Sequence, residues 1–259
     1  MPRFRVRRRD SQHSAGQQRE EAYRLLRTNV EVALADLDRP TVLVTSAHTG
    51  EGKTRTTTEL ARSFALAGRR VIAVDLDLRN PTMHEAFGEP ADPGVSDILR
   101  ERCALPDAIR YLTIDSPAGP AGLYLLAAGS GVANPSELIS TQRSARLLET
   151  LSQQADIVLI DSPPVLPVAD TLVLARMVGG VLLVVNSGST TYAAATRAKD
   201  TLVRNHARIL GMVLNRFEAG GGDYQIGYGG EYEISEERVR ESMAQSADDG
   251  PTRGNGFSS

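Results

Sequence analysis

Cysteine is nearly absent from the 259 residues. Cys103 stands alone, which excludes an intramolecular disulfide and a zinc site built on cysteines. Long apolar runs are also missing. The longest apolar stretch, 166–185, is broken by Asp170, Arg176 and Gly179-Gly180. A membrane span needs about 20 largely uncharged residues, so this stretch predicts helix, turn and strand. Charge of one sign is lacking too. Against 29 basic residues stand 32 acidic ones, a net charge of −3, without the global basic field that nucleic-acid binding calls for. Nucleic acid is therefore not an expected partner. Lysine is the scarcest cation: only Lys53 and Lys199 are lysines, all other basic residues being arginine. A chain that writes positive charge as arginine, yet keeps a lysine at 53, directs attention there.

What is present suits a folded protein. With 41% hydrophobic and 24% charged residues, the composition is that of a globular chain of one large domain or two small ones. The N-terminus carries Arg3, Arg5, Arg7, Arg8 and Arg9 but no apolar h-region follows, so it does not read as a secretory signal. Residues 1–19 are expected to form a flexible Arg-rich arm. From Glu21 a helical pattern places Ala22, Leu25, Leu26, Val30 and Ala33 on one face. Beyond Thr41, short apolar runs (42–45, 71–74, 123–126, 157–160, 181–185, 209–214) alternate with helical stretches at 53–67, 137–153, 169–177 and 193–205. Continuous rather than alternating apolar strands imply a sheet covered on both faces, hence a mostly parallel α/β fold. The pattern stops after Arg216, so 20–218 is read as the domain and 219–259 as a flexible tail.

The first run ends in Thr45-Ser46 and continues Ala47-His-Thr-Gly50-Glu51-Gly52-Lys53-Thr54, directly ahead of a helix. This is a phosphate-loop pattern, with alanine at its first small position. The glycines let backbone N–H groups curl around phosphate oxygens, so Ala47, Gly50, Glu51, Gly52, Lys53 and Thr54 are expected to bind the nucleotide; Lys53 reaches the β- and γ-phosphates, and the Thr54 hydroxyl suits Mg²⁺. Two further runs end in acids: Asp75 and Asp77, on one side if extended, and Asp161 before Ser162-Pro163-Pro164. In a parallel sheet these strand ends gather beside the phosphate loop. Three carboxylates there suit one Mg²⁺ and one general base.

The phosphate loop, Asp75-x-Asp77-x-Arg79 and Asp161-Ser-Pro-Pro together resemble the bacterial tyrosine kinases of capsular and exopolysaccharide biosynthesis. The resemblance covers about residues 20–235. It includes Glu21-x-x-Arg24-x-x-Arg27, the segment from Asp77 to His84, Asn134-Pro-Ser-Glu-Leu and the strand end at Asn215. It implies a P-loop NTPase-type three-layer fold and an ATP-dependent autokinase. By resemblance, Lys53 stabilises the transferring phosphate, and Thr54, Asp77 and Asp161 organise Mg²⁺. Asp75 is the candidate base for a tyrosine hydroxyl, and Asn215 the candidate adenine contact. Thr49 stands where the family usually has proline.

Tyr224, Tyr228 and Tyr232 lie in a Gly-rich, acidic stretch without a packing pattern, suited by reach to autophosphorylation in trans; the family ends in such a cluster. Glu21, Arg24 and Arg27, at i, i+3 and i+6, read either as a self-paired solvated face or, by resemblance, as a subunit contact of a homo-oligomeric ring. The resemblance also implies a cytoplasmic protein recruited to the plasma membrane by a membrane-spanning chain-length protein that activates it. Two rival readings share the loop and the acids. One is a positioning ATPase of the kind that partitions plasmids or places division sites, whose signature lysine early in the loop is His48 here. The other is a non-catalytic ATP-binding regulator of polysaccharide assembly.

Overall fold

A computed structural model describes residues 9–37, 40–116 and 119–217. Seven strands form one sheet in the order β3-β4-β2-β5-β1-β6-β7. The strands are β1 (Thr41–Ser46), β2 (Val71–Asp75), β3 (Arg110–Ile114), β4 (Ala121–Leu126), β5 (Ile157–Asp161), β6 (Gly180–Asn186) and β7 (Ile209–Asn215). All neighbours pair in parallel except β3, which runs antiparallel to β4 at the edge.

Every residue of β1, β2, β5 and β6 is buried, as continuous apolar runs require. Successive side chains then supply opposite faces. Val42, Val44, Ala73, Leu159, Leu182 and Val184 pack on α1 (Arg9–Leu34) and α2 (Lys53–Leu66), through Val30, Leu60, Ala61 and Phe64. Leu43, Ile72, Val74, Val158, Ile160 and Leu183 face the opposite layer. That layer holds α4 (Val95–Leu99), α7 (Gln142–Gln154), α8 (Asp170–Ala175) and α9 (Tyr192–Arg204), through Leu99, Leu147, Leu151, Leu174, Ala198 and Leu202. The three-layer α/β architecture is therefore the expected one.

Several elements differ from the sequence reading. Strand β3 has no counterpart there, because its burial alternates; an antiparallel edge strand needs only one apolar face. The helix expected over 137–153 is two helices, α6 (Pro135–Ile139) and α7. They part at Ser140-Thr141, where the Thr141 hydroxyl donates to the Leu138 carbonyl at 2.9 Å and Thr141 takes an extended backbone. Such side-chain bonds compete with the helix ladder. Helix α1 starts at Arg9, upstream of its apolar periodicity, so helical backbone covers the second half of the expected arm. Short helices α3 (Met83–Phe87) and α5 (Leu105–Ala108) fill the β2–β3 connection with α4. Among the described residues, no helix is long and apolar enough to cross a membrane.

Leu159, fully buried at the middle of β5, gives the core a direct test. Replacing it by alanine should cost about 2–5 kcal/mol, read from urea unfolding midpoints at unchanged slope. A loss below about 1 kcal/mol contradicts the packing described.

Candidate functional site

The chain leaves β1 into a loop closed by two glycines of positive φ, Gly50 at 80° and Gly52 at 98°. Both conformations favour glycine. At Gly52 a second constraint applies, since a Cβ there would stand 2.0 Å from the Asn215 amide nitrogen. Helix α2 starts immediately, with no acid in its first turn. The first turn of α2 therefore offers unpaired N–H groups and the positive end of the helix dipole. Lys53 opens the helix and is only 7% exposed.

The sheet register brings the acids to this loop. Asp161, at the end of β5, lies opposite Val44 of β1 on one side and opposite Asp75 of β2 on the other. Both carboxylates are fully buried. Asp75 accepts N–H bonds from Asp77 and from Met83, each at 3.1 Å. Burial, and then the neighbouring Asp161 charge, hold its carboxyl well above the usual carboxylate range. One oxygen of Asp161 accepts the Thr54 hydroxyl, whose oxygen accepts in turn from Thr82 at 3.1 Å. The other oxygen, Oδ1, is buried without a hydrogen-bond partner. Burial pushes Asp161 up to about 7, against the pull of Thr54 and Lys53. Asp77 accepts the Asn80 N–H at 3.1 Å and is likewise raised by burial, with Lys53 opposing.

Of these three buried acids, Asp77 and Asp161 feel the charge of the one buried lysine. Among the described residues, no three acidic, histidine or cysteine side chains converge as a ready-made metal cage. The expected three-carboxylate convergence is therefore a shared sheet edge, not a closed cage. The donor set still fits Mg²⁺, which keeps waters and takes one or two carboxylates plus substrate phosphates. The unpartnered Asp161 Oδ1, beside the Thr54 hydroxyl, is the oxygen such an ion would use.

The remaining expected residues fall in different places. Ala47 and Glu51, both expected among the nucleotide ligands, are turned to each other: the Ala47 N–H donates to a Glu51 carboxylate oxygen at 3.0 Å. Asn215 closes over the loop, its amide donating to the Glu51 carbonyl at 2.9 Å. Arg24 pairs with Glu21 at 3.3 Å on the exposed face of α1, the self-paired arrangement. Arg27 turns inward, donating to the Ser63 carbonyl of α2 at 2.9 Å. Both arginines line a cleft of about 490 Å³ between α1, α2 and the end of β3, away from the phosphate loop. Tyr224, Tyr228 and Tyr232 lie outside the described residues.

One cluster went unassigned in the sequence. Arg79 donates to both oxygens of Asp170, at 2.7 and 3.2 Å, and to the Ser136 hydroxyl at 2.8 Å. Asp170 is 1% exposed; burial alone would raise its carboxyl, but the hydrogen bonds from Arg79 and Ser136 outweigh it and hold it below the usual range. The cluster ties the turn after β2 to α6 and α8. Its sequence signal was half visible, since Arg79 and Asn134-Pro-Ser136 were singled out while Asp170 was read as a break in an apolar run.

Comparison with known proteins agrees with this fold. The family model for the CobQ/CobB/MinD/ParA nucleotide binding domain matches residues 42–228. The tyrosine-protein kinase YwqD of Bacillus subtilis is 35% identical over 195 residues, covering 75% of this chain and 80% of that one. The tyrosine-protein kinase Etk of Escherichia coli is 31% identical over 75% of this chain, which spans about a quarter (26%) of Etk's length. The solved kinase domain of Etk superposes with a TM-score of 0.72 at 30% identity, covering 81% of this chain and 80% of that one. The septum site-determining protein MinD of Pyrococcus horikoshii, solved with Mg-ADP, shares the fold at a TM-score of 0.58 and 24% identity, over 78% and 76% of the two chains. With the phosphate loop, the strand-end acids and these relatives in agreement, the chain belongs to the bacterial tyrosine-protein kinases built on the MinD-like nucleotide-binding fold.

Proposed function

We propose that this kinase transfers the γ-phosphoryl group of ATP, with Mg²⁺, to tyrosines of its own C-terminal segment in trans, and that it serves the polymerisation and export of capsular or extracellular polysaccharide. The observation that carries the reading is the buried, unpartnered Asp161 Oδ1 beside the hydroxyl of Thr54, the residue that follows Lys53 at the head of α2.

Phosphoryl transfer asks for positioning and charge neutralisation more than covalent chemistry. In this reading the loop N–H groups and Lys53 hold the β- and γ-phosphates, and Thr54 and Asp161, with Asp77 nearby, hold Mg²⁺. The ion, when bound, offsets the charge of the phosphates and of these carboxylates. The tyrosine oxygen attacks the γ-phosphorus, the bond to the β-bridging oxygen breaks, and ADP leaves. The phenolic proton goes to Asp75. Its carboxylate is oriented by two backbone donors, each oxygen keeps a second lone pair, and burial makes it more basic than an ordinary carboxylate. Asn215 faces the base, and Glu21, Arg24 and Arg27 contribute to assembly of copies. A membrane-spanning chain-length protein is the activator that would bring the domain, residues 20–218, to the membrane. The positioning-ATPase reading shares the fold but has His48 at its signature lysine and leaves the tail tyrosines without a role.

The assignment of roles is checked by phosphotyrosine formed on incubation with ATP-Mg. Lys53→Met should lower it at least a hundredfold, and Asp75→Asn comparably, while Asp75→Asn keeps Mg-ADP affinity within about threefold. The triple Tyr224/Tyr228/Tyr232→Phe variant should lose most of the signal. Undiminished phosphotyrosine in Lys53→Met sinks the site.

The buried acids also set a pH dependence. Asp161 titrates near 7 when folded against 3.8 ordinarily. Between these values the folded protein holds a proton that the unfolded chain has released, so this group's contribution to stability declines from about pH 4 upward and levels above 7. Without nucleotide or divalent cation, Asp161→Asn should therefore melt several degrees above wild type at pH 8, at about 2–4 °C per kcal/mol for this size. The gap should shrink by more than half at pH 5. A gap independent of pH refutes the buried-charge account.

A further inference from the structure

We infer that Glu51 and Thr190 form a strut that holds the phosphate loop in its nucleotide-binding shape, which makes Thr190 a positioning residue for phosphoryl transfer. The inference rests on the nucleotide reading above.

Glu51 is an odd occupant of its place. A loop that binds an anion carries a carboxylate at its tip, yet that side chain is only 3% exposed. Among the described residues, no lysine, arginine or histidine lies within ion-pairing distance of it. Hydrogen bonds alone hold it. Oε2 accepts the Ala47 N–H at 3.0 Å, and Oε1 accepts the Thr190 hydroxyl at 2.7 Å. The Thr190 oxygen itself accepts the Asn186 N–H, at the end of β6, at 3.0 Å. The Glu51 carbonyl meanwhile takes the Asn215 amide at the end of β7. One residue is thereby tied to the ends of β1, β6 and β7.

The loop needs such an anchor. Glu51 stands between two glycines of positive φ, neither with a side chain to fix the peptide, and Thr49 lacks the ring by which a proline would fix φ. Both carboxylate oxygens are taken up, by the Ala47 N–H and the Thr190 hydroxyl, and these bonds pin the peptide between the two glycines. Thr190 lies in the turn after β6, is 4% exposed, and belongs to none of the phosphate, metal or base positions. Removing its hydroxyl leaves a buried carboxylate oxygen without a donor, a strongly unfavourable state. The loop would relieve it by moving. Displacement of about 1 Å at a reacting group costs up to about a hundredfold in rate.

The test compares Thr190→Val, isosteric without the hydroxyl, with Thr190→Ser, which keeps it, in the full chain. Mg-ADP affinity is measured by calorimetry, and KM and kcat for ATP by phosphotyrosine formation. Thr190→Val should weaken Mg-ADP binding about tenfold and lower kcat as well, whereas Thr190→Ser stays within about twofold of wild type on both. A merely structural threonine predicts lowered melting temperatures with unchanged affinity in both variants, and that result overturns the inference, as does equal weakening by valine and serine. Should Thr190→Val not fold, Glu51→Gln takes its place. A fivefold or greater loss of affinity supports the strut, and unchanged affinity rejects it. Wild type that binds no Mg-ADP removes the nucleotide reading itself, an outcome distinct from wild type and Thr190→Val binding alike.

Discussion

The register of three central parallel strands is the constraint from which the site follows. Asp161 can meet Thr54 only because β5 is paired so that its last residue lies opposite Val44 of β1 and Asp75 of β2. A slip of one residue would turn Asp161 across the sheet and place a carboxylate on the face lined by Leu43, Ile72 and Val74. The alternating faces forbid that slip, because every residue of these strands is already committed to one core or the other. Core packing thereby fixes the chemistry. The result is locally unfavourable: carboxylates are desolvated, with one lysine and a few N–H donors in compensation. The site keeps these carboxyls dry and leaves one Asp161 oxygen unpartnered, which is the feature the proposed metal and phosphates would use.

The loop shows the same logic at smaller scale. Gly52 has no side chain because Asn215 occupies that space and because its φ is 98°. The loop is therefore bounded by β7 as well as by β1, and the end of the molecule expected to meet the base is in bonded contact with the end expected to meet phosphate. MinD-like positioning ATPases share the fold, as the Pyrococcus horikoshii structure shows. The features that separate the readings are His48 in the loop and, in the sequence, the tyrosines beyond the described residues.

Much of this was legible in the sequence. The continuous runs 42–45, 71–74, 157–160 and 181–185 announced a doubly covered parallel sheet, and the glycines at 50 and 52 with Lys53 announced the loop. Acids at the ends of two such runs could be expected beside it by topology alone. Other features were hidden for physical reasons. An edge strand such as β3 alternates and resembles a loop when only continuous runs are sought. The break at Ser140-Thr141 arises from hydroxyls competing for carbonyls within an otherwise helical pattern. Asp170 meets Arg79 across 91 positions of sequence, and Thr190 meets Glu51 across 139. Neither pairing has a local spacing to betray it. The direction of a side chain is also invisible: no spacing shows that Glu51 is buried in hydrogen bonds or that Arg27 is turned onto α2.

The central claim, that the strand-end acids and the phosphate loop form one nucleotide site completed by a metal, is tested most directly by a crystal structure of the full chain with Mg²⁺ and a non-hydrolysable ATP analogue. The account predicts phosphates on the N–H groups of residues 50–54 with Lys53, and the ion against Thr54 and the free oxygen of Asp161. Phosphates seated elsewhere, in the arginine-lined cleft between α1 and α2 for instance, or an ion without contact to Asp161, would contradict it.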